Sequence, residues 1–269
     1  MKKLLFQSDD YGISDAVSDG IIKGIKEGII RNTGLFVNMP SSKRAAEMIR
    51  DIKGINVGID INLVAGRPVT DPKLIPHLVD ETGHFISSTR RMKEGNVLRH
   101  DGLKVIFEED PYVYEETLLE TENQVKRFIE LMGRKPDYFH GHSLMTDNTL
   151  KASFEISKKY DILNTINVMT SKNIKMVPCD WTPKPFLITE QMCTDVTSNF
   201  LNSLKSVLDN EIGYFICHCG YVDADLLKET TYTLIRTRDL ECALSDEVKT
   251  FLKENEIELI TYDDLREVL

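Results

Sequence analysis

In the stretch NVGIDINLV, residues 56–64, the first eight positions alternate strictly between two kinds of residue. Val57, Ile59, Ile61 and Leu63 are aliphatic, while Asn56, Gly58, Asp60 and Asn62 separate them. A period of two is that of a pleated strand, so the aliphatic set falls on one face and Asp60 on the other. Comparable short apolar stretches lie on both sides, at residues 3–8, 33–38, 138–142, 214–219 and 258–262. Segments of helical period separate them. Residues 15–28 carry Val17, Ile21, Ile22 and Ile25 on one face, and residues 41–51 have Ser42 as their expected N-cap. Residues 111–131 form a further expected helix, stopped by Gly133, with others at 150–160, 198–209 and 246–255. Strands alternating with helices predict an α/β protein with a parallel sheet, a single (β/α) barrel over 1–269. The irregular stretch at about 67–111 is expected to be an insertion or lid over the site. Pro178, Pro183 and Pro185 make a loop of the region 165–189.

A chain of 269 residues is long enough for one large core. Its formal net charge of −10 repels phosphate backbones and anionic membrane surfaces, so neither nucleic acid nor a membrane is an expected partner. The apolar run after Lys2 and Lys3 is only Leu4, Leu5 and Phe6, short of the roughly 7 residues that a secretory leader needs. Five cysteines without framework spacing do not describe a disulfide scaffold, and the cytoplasm is the natural reading.

Polar residues recur at the ends of the apolar stretches. They are Ser8-Asp9-Asp10, Asp60-Ile61-Asn62, His140-Gly141-His142 and Cys217-His218-Cys219-Gly220. A barrel gathers the C-terminal ends of its strands at one rim, which would make these four distant segments one site. Adjacent carboxylates can divide the work there, one holding a cation and the other taking a proton from water, although a helix N-cap pair looks the same in sequence. Asp60 is a carboxylate inside an apolar strand, where an unpaired charge is costly; a ligand role and a buried salt bridge both satisfy that. His140 and His142, two apart, aim their imidazoles to one side. Alternation turns Cys217 and Cys219 away from His218, which makes them buried structural thiols and leaves His218 as a general acid. His77, His84 and His100, in the irregular stretch, are expected at the surface.

Taken together, SDDYGIS (residues 8–14), GIDINLVAGRPV (58–69), GRKPDYFHGHS (133–143), CHCGYVDADL (217–226) and the tail from Thr231 to Leu265 resemble the YdjC-like carbohydrate deacetylases. The segments fall in the expected order and cover nearly the whole chain. The resemblance implies a (β/α) barrel, distorted or complete, related to polysaccharide deacetylases. It also implies a metal-dependent hydrolase that removes an acetyl group from an N-acetylated sugar or oligosaccharide. By that resemblance Asp9 is the general base, Asp10 and His142 are metal ligands, and His218 is the acid that protonates the departing amine.

The chain departs from the family pattern at several of these positions. Asp60 stands where the GxHxxL segment has a histidine ligand, and His140 stands where the DSHHH segment has its aspartate. Ser143 and Leu144 replace later histidines, and Cys219 replaces the proline of HPG. The implied ligand set is therefore Asp10, Asp60 and His142, with His140 as a fourth ligand or a carboxylate partner. Two hard carboxylates favour magnesium, ahead of zinc or manganese, as the divalent ion. The expected partner is a small carbohydrate, and a homodimer is allowed. Two other readings stay open. One is a metal-dependent hydrolase of another bond, such as a phosphate ester; the other is a catalytically degenerate carbohydrate-binding protein.

Overall fold

The computed structural model describes every residue except Met1, Asp180, Lys184, Pro185 and Val268; the Pro185 part of the expected loop therefore lies outside the described residues. The strands are β1 (Lys3–Tyr11), β2 (Asn32–Leu35), β3 (Asn56–Ile61), β4 (Val97–Asp101), β5 (Lys104–Phe107), β6 (Tyr138–Gly141), β7 (Leu163–Asn164), β8 (Ile174–Met176), β9 (Ile212–Cys217) and β10 (Glu258–Ile260). All but β4 and β5 join one sheet in the order β7-β6-β3-β2-β1-β9-β8. Every pairing in that sheet is parallel. One edge of β1 is taken by β9; the other is shared, β10 pairing with Lys3–Leu5 and β2 with Gln7–Tyr11. The sheet curls into a half-barrel with helices packed around it. No pairing joins β7 to β8 among the described residues, so the expected barrel is an open one.

The helices form where the periodicity places them. The helix Asp15–Glu27 starts at Ser14, whose hydroxyl accepts from the Val17 N–H. The long helix Tyr114–Met132 ends at Gly133, which takes the left-handed φ of 71° that glycine adopts without a Cβ penalty. Ser42 is not the N-cap. It is the first residue of the helix Ser42–Ile49, and its hydroxyl accepts from the Met39 N–H. The stretch 67–111 has more structure than its sequence suggested, with a short helix at Ser88–Glu94 and the antiparallel hairpin β4–β5. Buried Glu120 ties it to the long helix by accepting from the Val69 and Thr70 N–H groups. Beneath the sheet, Phe6, Phe200 and Phe215 pack edge-on and tilted, with ring centroids 4.6–5.7 Å apart. No helix among the described residues is long and apolar enough to cross a membrane.

β3 is buried on both faces, and Asp60 is fully buried within it. The space for its carboxylate comes from the neighbouring strand, because a Cβ on Gly34 would overlap Asp60 Oδ1. Gly34→Ala should therefore cost roughly 1–3 kcal/mol in urea unfolding. Gly141→Ala, whose added Cβ meets nothing within 4 Å, should stay within about 0.5 kcal/mol of the parent. Equal stabilities for the two variants would mean that Gly34 is not what accommodates Asp60.

Candidate active site

β1 carries two carboxylates to the rim. Consecutive strand residues point to opposite faces, yet Asp9 and Asp10 both line one cavity. The ladder between β1 and β2 slips between Ser8 and Tyr11, and Asp10 takes a left-handed φ of 67°. A bulge of this kind re-aims side chains at a strand end. The cavity has a volume of about 620 Å³ and is also lined by His140, His142, His218 and Arg236. Ser87, Ser88, Thr89 and Leu103 of the 67–111 insertion form part of its wall.

Below the rim the polar groups divide into two sets. The first is Asp9, Asp60 and His140. Asp60 and His140 are register partners on β3 and β6. Asp9 Oδ2 lies 3.2 Å from His140 Nε2, and Asp9 Oδ1 accepts from the Gln7 amide. His140 Nδ1 sits 2.9 Å from Thr165 Oγ1. Asp60 Oδ2 accepts from the Asp10 N–H at 2.9 Å, whereas its Oδ1 is buried without a hydrogen-bond partner. One ligand atom from each of Asp9, Asp60 and His140 lies within 4.8 Å of the other two, the one such acid, thiol or imidazole grouping among the described residues.

The second set is Asp10, His142 and Arg236. Arg236 is 1% exposed; its Nη2 contacts Asp10 Oδ2 at 2.6 Å, and its Nε donates to the Tyr232 carbonyl. His142 Nδ1 lies 3.0 Å from Asp10 Oδ1, with its ring edge-on to Phe36. The expected ligands Asp10, Asp60 and His142 are thus split, since the turn at Asp10 delivers its carboxylate to a guanidinium and an imidazole. His218 stands between the sets. Its ring tilts against Tyr232, and its backbone N–H donates to Asp239 Oδ2 at 2.9 Å.

The electrostatics follow from this division. Burial, helped by the nearby Asp9 charge, pushes Asp60 up to about 8. Burial alone would lower His140, but the carboxylates of Asp9 and Asp60 outweigh it and hold the imidazole at about 9. Burial would raise Asp10, yet His142 and Arg236 overcome it and keep that carboxyl well below the usual range. Desolvation lowers His218, so its ring is neutral at neutral pH.

A metal test of the first set rests on its own atoms. An orphaned, buried carboxylate oxygen beside an imidazole and a second carboxylate is a donor set that a divalent cation satisfies. With its Nδ1–H given to Thr165, His140 would present the Nε2 lone pair.

The remaining histidines and cysteines sit where alternation put them. His77, His84 and His100 are exposed, and Cys217 and Cys219 are buried free thiols with their sulfurs 3.6 Å apart. Arg236 and Gln7 were missed. Arg236 lies on the helix Ile235–Leu244, which buries Ile235, Arg236, Asp239, Leu240, Cys242 and Ala243 and so has no polar stripe to reveal it. Gln7 lies two residues before Asp9, and that same-face spacing was the available signal.

The chain is 28% identical over 271 residues to a Clostridium beijerinckii protein named carbohydrate deacetylase, covering 98% of this chain and 100% of that one. It is also 28% identical over 266 residues to a Listeria innocua protein named carbohydrate deacetylase 2, covering 98% of each. A crystal structure from Enterococcus faecalis V583, described as that of a candidate cellobiose-phosphate cleavage protein, matches with a TM-score of 0.77 at 22% identity and 98% coverage of both chains. A family 4 acetyl xylan esterase from Clostridium thermocellum, solved with a cobalt ion, matches with a TM-score of 0.50 at 9% identity, covering 99% of this chain and 91% of that one. These two share the fold. The sequence pattern of the YdjC-like proteins matches residues 3–254, and the chain belongs to that family.

Proposed function

We propose that the protein is a metal-dependent hydrolase that removes the acetyl group from an N-acetylated sugar. The observation that carries this reading is the convergence of Asp9, Asp60 and His140 next to a cavity that His218 also lines. The relatives named carbohydrate deacetylase supply the substrate class. Two carboxylates and one imidazole suit magnesium or manganese better than zinc.

A bound divalent cation would supply Lewis acidity toward the acetyl carbonyl and the attacking water. The chain's own residues handle the protons. Asp9 and Asp10 make poor proton acceptors. Asp9 faces Gln7 and His140, and Asp10 is held by Arg236 and His142. The base role expected of Asp9 therefore passes to His218, whose neutral ring can take a proton from water. Water attacks the acetyl carbon, and His218 returns the proton to the sugar nitrogen as the C–N bond breaks. The products are acetate and the free amine. Burial would lower His142, but the Asp10 carboxylate outweighs it and favours the charged imidazole, which faces the cavity where the carbonyl oxygen gains charge. The competing arrangement, a cation on Asp10, Asp60 and His142, would use Asp10 Oδ1 beside His142 while Oδ2 stays on Arg236.

Acetate release from N-acetylglucosamine oligomers, alongside calorimetric titration with Mn²⁺, separates these roles. Asp60→Ala and His140→Ala should lose cation uptake and activity together. His218→Ala should keep cation affinity and lose roughly 10²- to 10⁴-fold in turnover. Retention of cation by His140→Ala, with loss in His142→Ala, would establish the competing arrangement. Failure of wild-type enzyme to release acetate from any N-acetylated sugar would end the deacetylase reading.

Cation uptake should also depend on pH in a definite direction. Asp60 at about 8 and His140 at about 9 both hold protons at neutral pH, and a cation must displace them. Affinity should rise from pH 6 toward pH 9, with proton release seen in buffers of different ionisation heat. A flat profile with no proton release would place the cation elsewhere.

A further inference from the structure

We infer that Gln7, fixed by Tyr214 and Tyr262, is a positioning residue that presents Asp9 to the cation. This rests on the metal reading of the Asp9–Asp60–His140 cluster. Gln7 is fully buried on β1, two residues before Asp9 and on the same face. Its Oε1 accepts from the Tyr262 hydroxyl and lies 3.3 Å from the Tyr214 hydroxyl, while the two phenols are 3.0 Å apart. Each phenol has one proton. Whichever way the pair is ordered, one proton remains for the Gln7 oxygen. The opposite amide orientation would set the Gln7 carbonyl against the Asp9 carboxylate. The tyrosines therefore fix the amide, and the amide nitrogen fixes Asp9 Oδ1. Asp9 Oδ2 is left facing His140.

The chemistry of the clamp matches the task. Gln7 is a neutral donor, so it orients Asp9 and leaves the carboxylate its full charge. Asp10 is held instead by a guanidinium, which neutralises it. Of two adjacent aspartates, the one oriented without being neutralised is the better cation ligand. The clamp is itself braced. Tyr262 stacks on Tyr138 with centroids 4.0 Å apart, and Gly58 leaves room for the Tyr138 ring. Asn32 bridges the Ile260 carbonyl and the Tyr262 N–H, tying the segment after β10 to the floor of the site.

The test is Mn²⁺ titration by calorimetry of wild type, Gln7→Leu, Tyr262→Phe and the Tyr214→Phe/Tyr262→Phe pair. Thermal unfolding of the chelator-treated proteins is read alongside. Gln7→Leu should weaken Mn²⁺ roughly 10- to 100-fold while remaining folded without metal. The double tyrosine variant, which frees the amide to turn, should lose affinity in the same direction, and Tyr262→Phe less. Wild-type Mn²⁺ affinity in folded Gln7→Leu overturns the clamp and leaves the metal reading standing. If Gln7→Leu does not fold, unchanged affinity in the double tyrosine variant overturns it equally. A wild-type protein that takes up no divalent cation overturns the metal reading and the clamp with it.

Discussion

A fully buried carboxylate in a parallel sheet costs several kcal/mol unless something compensates it. Asp60 is that carboxylate, and much of the surrounding structure answers to it. Gly34 on one neighbouring strand gives up its side chain to make room, and His140 on the other stands in register beside it. The Asp10 N–H, turned inward by the β1 bulge, satisfies one oxygen, and the other is left unpaired. Asp10 Oδ1, in the other set, is likewise buried without a hydrogen-bond partner, although His142 Nδ1 lies 3.0 Å from it.

The bulge on β1 has a second consequence. A regular strand would send Asp9 and Asp10 to opposite faces; the slip sends both to one cavity with different neighbours. Gln7 and His140 receive Asp9, while Arg236 and His142 receive Asp10. Two chemically identical side chains, adjacent in sequence, thereby acquire different charge environments. The difference comes from position alone, since the two carboxyl groups share their intrinsic acidity.

Much of the fold was legible because most strands of the sheet are short apolar runs separated by helices of clear period; β8 and the helix Thr165–Thr170 were not, since they are only three and six residues long inside the stretch read as a loop. The site rim was legible for the same reason, since polar residues at strand ends stand out against apolar runs. The partition within the site was not. It depends on the backbone turn at Asp10, and a non-glycine residue at φ 67° leaves no mark in sequence. Arg236 was hidden because its helix is buried on several faces, and Gln7 because an uncharged residue in a strand reads as a packing choice. The insertion at 67–111 read as irregular because its helix and hairpin are short and mostly exposed, leaving little hydrophobic period to detect.

The departures from the family pattern take on a different meaning once β3 and β6 are paired. Read along the chain, a histidine lost at position 60 and an aspartate lost at position 140 look like two injuries to a metal site. In the sheet these positions face one another, Asp60 against His140. The family segments that the chain resembles carry histidine then aspartate; this chain carries aspartate then histidine. The pair keeps one imidazole and one carboxylate, the same formal charge and the same donor types, with their strands exchanged. A single change would have left two carboxylates or two imidazoles side by side in a buried position, at a cost in repulsion and desolvation that the double change avoids. The exchange also moves the imidazole next to Asp9, where Gln7 already orients the carboxylate, and away from Asp10, which Arg236 holds. The unusual residues of this chain are therefore a consistent set, which places one imidazole and one carboxylate side by side next to Asp9.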